Sequence, residues 1–145
     1  MTIIESIRDF IKQCPYLSDY YKSIGVDYLA DTTVSYSIEE VPVDPIVKTY
    51  VNGDKLKQYV FIFCSKEDYS SDVRQNIENS GFYEEFEEWL SRTTRSRNLP
   101  IMSDGKEAQS IKAITSGYAF ATDGDKAQYQ IQVRLEYYQK SIGVM

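Results

Sequence analysis

Carboxylates and lysines are the residues of this chain best suited to chemistry, because the sequence contains no histidine. Asp104, Glu107 and Lys112 surround the start of a predicted strand, and a metal-dependent nuclease could use such a set. Their spacing matches no established nuclease pattern, so a small metal-dependent nuclease is kept as the alternative hypothesis. Asp123 and Asp125 flank Gly124, but calcium loops also need further spaced oxygen ligands and a closing glutamate. This stretch is therefore interpreted as a turn.

A second acidic group lies at the start of a predicted helix whose end is basic. The helix dipole favours acidic residues at the start of a helix and basic residues at its end. A solvated helix face therefore explains the acids better than a metal site does. The basic group is interpreted in the same way, with a contact to an acidic partner as the alternative. The acids are Glu84, Glu85, Glu87 and Glu88, and the bases are Arg92, Arg95, Arg97 and Lys106.

Composition excludes several classes of function. Without histidine, the common triads, the histidine-based acyltransferases and most zinc sites are excluded. The 145 residues include 16 basic and 22 acidic ones, a net charge of −6, and an acidic chain is poorly suited to nucleic acid. Thirteen tyrosines favour contacts with other proteins. We therefore expect no catalysis, no metal, no cofactor and no specific nucleic-acid partner.

The sequence also predicts a chain that neither crosses a membrane nor is secreted. No apolar run approaches the roughly 20 residues of a membrane span. The first ten residues lack the cationic flank and apolar core of a signal peptide. Cys14 and Cys64 are accordingly predicted to be buried free thiols.

Hydrophobic patterns predict five strands. Residues 59–64 (YVFIFC) have no polar break, which predicts a central strand covered on both faces. Residues 33–40 and 127–138 alternate, and 109–120 form a strand with Gly117 as a possible bulge. Asn52-Gly53 predicts a hairpin that pairs residues 46–51 with 55–64.

Helical spacing predicts helices over 3–14, 72–79 and 82–95. Thr2 and Glu5 fit a capping box, and the last two helices are predicted to be separated at 79–81. Residues 23–26 are interpreted as a turn and 66–71 as a polar loop. The order of elements predicts one α+β domain over 1–145, in which helices pack on one face of a mostly antiparallel sheet.

Six stretches together resemble the small minor capsid or tail terminator-like proteins of phages and prophages of Gram-positive bacteria, some of which have the misleading label of chloramphenicol resistance proteins. The likeness covers nearly the whole chain but includes no catalytic motif. The stretches are residues 36–42 (YSIEEVP), 45–53 (PIVKTYVNG), 58–63 (QYVFIF), 78–89 (ENSGFYEEFEEW), 99–100 (LP) and 127–137 (AQYQIQVRLEY).

The resemblance implies a virion structural protein, made in the cytoplasm of the bacterial host and located at the head–tail interface. Tail terminators form a hexameric ring on the end of the tail tube, stop its growth and present a surface to the head connector. The implied partners are other copies of the chain, the tail tube protein and the head–tail connector proteins. The implied fold is a small antiparallel sheet with helices packed against it.

Residues 43–51 are predicted to form the subunit interface and are called the apolar arm below. Pro42 and Pro45 keep this segment extended, and its apolar side chains exceed what one monomer is expected to cover. The predicted contact residues are Val43, Ile46, Val47, Tyr50 and Val51. The other hypotheses are an enzyme, either the nuclease above or an acyltransferase, and an adaptor for a non-viral partner.

Overall fold

The computed structural model describes residues 2–15, 24–26, 35–68, 73–123 and 126–141. They form an α+β fold with two helices and a sheet of seven strands. In chain order the elements are α1 Ile3–Ile11, β1 Ile24–Val26, β2 Ser35–Val41, β3 Ile46–Thr49, β4 Lys55–Asp68, α2 Val73–Arg95, β5 Lys106–Ala113, β6 Tyr118–Asp123 and β7 Lys126–Gln139.

Strands β4 and β7 form the centre of the sheet, and they pair antiparallel over their full lengths. On the edge of β4 that faces away from β7, β2 and β3 pair with β4. On the edge of β7 that faces away from β4, β5 and β6 pair with β7. All of these pairs are antiparallel, and β1 adds a parallel pair at the edge of β2. The prediction of a mostly antiparallel sheet with 59–64 in its central strand is therefore confirmed.

Alternation along the strands separates a buried face from a polar face. In β7, Tyr129, Ile131, Val133, Leu135 and Tyr137 are buried, whereas the residues between them are partly exposed. Side chains opposite each other on antiparallel strands share a face, so the β7 set extends across β4 and β5 into one hydrophobic core.

Both helices pack on that apolar face. In α1, Thr2 Oγ1 accepts a hydrogen bond from the Glu5 amide at 3.2 Å, which confirms the predicted N-cap. Phe10 of α1 stacks on Trp89 of α2, with ring centroids 4.9 Å apart. On the opposite face Val60 and Cys64 are also buried, as predicted for a strand covered on both faces, although no helix of the described residues covers that side.

Several sequence predictions of element boundaries were wrong. Residues 73–95 form one helix, because Gly81 keeps a helical backbone instead of ending it. Residues 24–26 are strand β1 instead of a turn, and β4 continues to Asp68 where a polar loop was expected. The predicted start of the second helix at residue 72 and the turn at 124–125 lie outside the described residues.

The predicted strand over 109–120 is two strands, β5 and β6, which lie along the same edge of β7. Bulges occur within each strand, between Ala108 and Ser110 and between Ala119 and Ala121. Gly117, where a bulge was expected, lies in the connection instead. A Cβ at this position would overlap the Cβ and Cγ of Tyr83 and lie 2.7 Å from its Cδ1. A glycine here therefore lets the chain pass against α2.

Candidate subunit interface

The apolar arm is exposed along most of its length. All four residues of β3 are exposed, and Val47, with 47 % of its surface accessible, lies at a bulge between Ile46 and Lys48. Val43 and Val51 are also exposed. Apolar side chains grouped along an edge strand are typical of a surface that binds another protein.

Hydrogen bonds hold the start of the apolar arm on β4. The Gln58 amide donates to the Pro45 carbonyl at 2.8 Å, and Gln58 Nε2 donates to the Asp44 carbonyl at 2.8 Å. Asp44 Oδ1 in turn accepts from the Ile46 amide at 3.0 Å. Because proline has no N–H, this segment is held through acceptors, namely the carbonyls of Asp44 and Pro45. The arm is therefore attached at its proline end as well as at its turn.

The predicted Asn52-Gly53 turn is confirmed. Gly53 has a φ of +92°, a conformation that favours glycine. The Gly53 amide donates to the Tyr50 carbonyl at 3.0 Å, and the Tyr50 amide donates to the Asp54 carbonyl at 2.8 Å. Asn52 Oδ1 accepts from the Asp54 amide at 3.0 Å. The turn thus fixes the register of the arm against β4.

Asp54 joins this turn to the end of β7. Its Oδ1 accepts from the Ser141 amide at 2.7 Å, while its Oδ2 accepts from the Tyr138 hydroxyl and, at 3.1 Å, from Asn52 Nδ2. The bond from Tyr138 and then the one from Ser141 lower the pKa of Asp54. The same bond to Asp54 is the main cause that raises the pKa of Tyr138. Sequence reasoning did not identify this network, because its members are separated by more than 80 residues.

Tyr50 differs from the other predicted contact residues. It is partly buried, and its ring packs on Tyr138 with centroids 5.5 Å apart. Lys48 Nζ lies 5.0 Å from the centre of the Tyr50 ring. Tyr50 therefore contributes to the attachment of the arm, while Val43, Ile46, Val47 and Val51 contribute exposed apolar surface.

The residues considered for nuclease chemistry do not form one site. Glu107 and Lys112 lie on β5 opposite Tyr138 and Arg134 of β7, which separates them by about 13 Å along the sheet. Asp104 lies in the preceding loop. Among the described residues, no group of three His, Cys, Asp or Glu side chains could hold a metal ion. Burial, together with the charge of Glu39, raises the pKa of the Cys64 thiol to about 12, which makes it a poor nucleophile.

The four glutamates of α2 are exposed, as predicted for a solvated helix face. Their predicted place in the first turns of a helix is wrong, because α2 begins at Val73 and has no acidic residue in its first turn. Of the predicted basic group, Arg97 and Lys106 line one open cavity of about 540 Å³. Arg92 and Arg95 are exposed at the end of α2. A separate group that sequence reasoning missed consists of Lys55, Lys57 and Lys140, which line a cavity beside Gly53.

Neither the models of known protein families nor the curated protein sequences match this chain. Among the described residues, neither helix combines the length and the apolar character that a membrane crossing requires.

Proposed function

We propose that this chain is a structural subunit of a phage tail, namely a tail terminator that assembles into a ring on the end of the tail tube and joins the tail to the head connector. The observation that supports this function best is the exposed apolar arm, fixed by hydrogen bonds at both ends. The proposed partners are other copies of the chain in a ring of six, the tail tube protein and the connector proteins. The proposed location is the virion, after synthesis in the host cytoplasm.

The physical requirements of a ring agree with this surface. In a closed ring, one patch of each subunit contacts a different patch of the next. An arm that is already ordered loses little conformational entropy when it binds. The α+β fold, with both helices on one face of an antiparallel sheet, also agrees with the fold that the resemblance implies.

Sedimentation velocity and native mass measurement at high protein concentration test the proposal, together with electron microscopy of purified tail tubes mixed with the protein. We expect self-association in solution, or rings that form only on tube ends. A chain that stays monomeric and leaves tube ends bare would contradict the proposal. Magnesium-dependent cleavage of DNA that is lost in an Asp104→Ala, Glu107→Ala variant would instead support the nuclease hypothesis.

A further inference from the structure

A cavity of about 300 Å³ opens at the end of the sheet beside the hairpin turn. The described residues that line it include three lysines and no acidic residue: Gly53, Lys55, Lys57, Gln139, Lys140 and Ser141. Among the described residues, none of these three ammonium groups forms an ion pair. The cavity is thus a concentration of unpaired positive charge in a chain whose net charge is −6.

The groups around the cavity do not neutralise this charge. The Asp54 carboxylate, next to Lys55 in sequence, already accepts hydrogen bonds from Ser141, Tyr138 and Asn52. Gln139 Oε1 is buried and has no hydrogen-bond partner within the described part of the chain. A 180° rotation of the Gln139 side-chain amide would exchange the positions of Oε1 and Nε2. Nε2 is a hydrogen-bond donor, and it could then donate to an incoming carboxylate. The cavity therefore has the positive charge that attracts an anionic side chain. After the rotation of Gln139 it also has a hydrogen-bond donor for that side chain.

Acidic residues lie on α2, over the half of the sheet farther from the cavity. Tyr83 of α2 is bonded through its hydroxyl to Ser65 Oγ and, at 3.2 Å, to the Tyr129 carbonyl. The pair Ser65–Tyr129 is ten residues along β4 from the pair Lys55–Gln139, or about 33 Å. The exposed glutamates at 84, 85, 87 and 88 directly follow Tyr83. Helix α2 runs from Tyr83 towards the lysine end, since Thr94 Oγ1 donates to the carbonyl of Ile111, which lies opposite Leu135. With a rise of about 1.5 Å per helical residue, roughly 19–25 Å along the sheet remains between the glutamates and Lys57. This is more than twice the Debye length of about 8 Å, so one subunit's acids do not pair with its own lysines.

Exposed apolar surface accompanies the lysine group. At the lysine end, Ile46 of the apolar arm lies directly opposite Lys57, so the two share a face. At the acidic end, Tyr118 is exposed but lies opposite Gln130 of β7, on the face of the sheet away from α2. The two groups thus have opposite signs of charge, and the lysine group also has apolar surface beside it. Such a subunit is suited to a head-to-tail contact between copies.

We infer that the lysine cavity receives the glutamate side chains of α2 from a second copy of this chain. The inference rests on the proposed function, since it assigns the partner surface for the ring contact. The bound groups are carboxylates, held by the ammonium groups of Lys55, Lys57 and Lys140. The contact leaves a free cavity on one subunit and a free acidic helix on the other, so further copies can be added until the ring closes.

Reciprocal charge reversal tests this inference by sedimentation velocity. The first variant is Lys55→Glu, Lys57→Glu, and the second is Glu84→Lys, Glu87→Lys. We expect each variant alone to associate at least about tenfold more weakly than the wild type, because like charges then face each other. An equimolar mixture should recover association, because every contact between unlike variants is again complementary. Lys112→Glu is the control, an exposed lysine on β5 away from the cavity, and should behave as the wild type.

Circular dichroism and urea unfolding establish that each variant is folded before it is mixed. Association of both variants at wild-type strength would overturn the inference and leave the proposed function intact. Loss of association without recovery in the mixture would also overturn it, since the lysines would then bind something other than these glutamates. A wild-type chain that never self-associates, in solution or on tube ends, would overturn the proposed function. It would also overturn the inference, because no second copy would then bind the cavity.

Discussion

The hydroxyl of Tyr138 donates a hydrogen bond to the carboxylate of Asp54, 84 residues earlier in the chain. Asp54 ends the hairpin turn, and Tyr138 lies near the end of β7. The same tyrosine ring packs on Tyr50 of the apolar arm. One side chain therefore fixes both the turn and the arm on the sheet, so that the proposed contact surface is formed before a partner binds.

The first prediction is that Tyr138→Phe weakens this attachment while the ring contact with Tyr50 remains. The variant should unfold at a lower urea concentration than the wild type, because Asp54 loses its bond from Tyr138. Amide hydrogen exchange in residues 46–54 should also become faster. Tyr118→Phe is the matched control, since the Tyr118 hydroxyl bonds the Gln130 side chain at an exposed site and its loss should change neither measurement. Equal behaviour of the two variants would contradict the role given to Tyr138.

The second prediction concerns pH. The bonds from Tyr138 and Ser141 lower the pKa of Asp54 in the folded state, so the carboxylate favours folding above its ordinary pKa of 3.8. This contribution should disappear as pH falls below 3.8 and through the lower folded pKa. Asp54→Asn should therefore destabilise the protein at neutral pH and reduce the decline in stability between pH 4 and pH 2, a range of roughly two units that extends downwards from the ordinary value. Urea unfolding of both proteins across this range measures the difference, and parallel curves would contradict the prediction.

The third prediction compares two glycines. Gly117→Ala should lower the free energy of unfolding by about 2 kcal/mol or more, because the new methyl group overlaps Tyr83, which is buried. Gly81→Ala should raise it by about 0.5–1 kcal/mol, because Gly81 lies inside α2 and the added Cβ would meet no other element of the described residues within 4 Å. Urea unfolding measures both values. A rise in the free energy of unfolding at both positions would show that packing against Tyr83 does not limit position 117.

Much of the fold could be predicted from periodic patterns. The alternation of residues 127–138 identifies the buried face of β7, and the unbroken run at 59–64 identifies the strand beside it. Asn52-Gly53 identifies the hairpin because its conformational requirement is local. These predictions succeeded because each depends on residues that are neighbours in sequence.

The failures came from tertiary contacts that override local preferences. The helix continues through Gly81, although glycine costs about 1 kcal/mol inside a helix, because its next residues Phe82 and Tyr83 pack into the core. The exposed apolar residues of the arm were identifiable from composition and the prolines. The bond between Asp54 and Tyr138 and the grouping of Lys55, Lys57 and Lys140 were not, because they depend on the pairing of β4 with β7.

The most direct test of the proposed interface is the effect of Val47→Glu on assembly. We expect this variant to keep the wild-type free energy of unfolding within about 0.5 kcal/mol, as for other exposed sites, and to lose self-association in sedimentation velocity and ring formation on tube ends. Ile101→Glu is the control, an apolar residue with 80 % of its surface exposed outside the arm, and it should assemble as the wild type does. Normal assembly of Val47→Glu, or its unfolding, would contradict the claim that the arm is the contact surface between subunits.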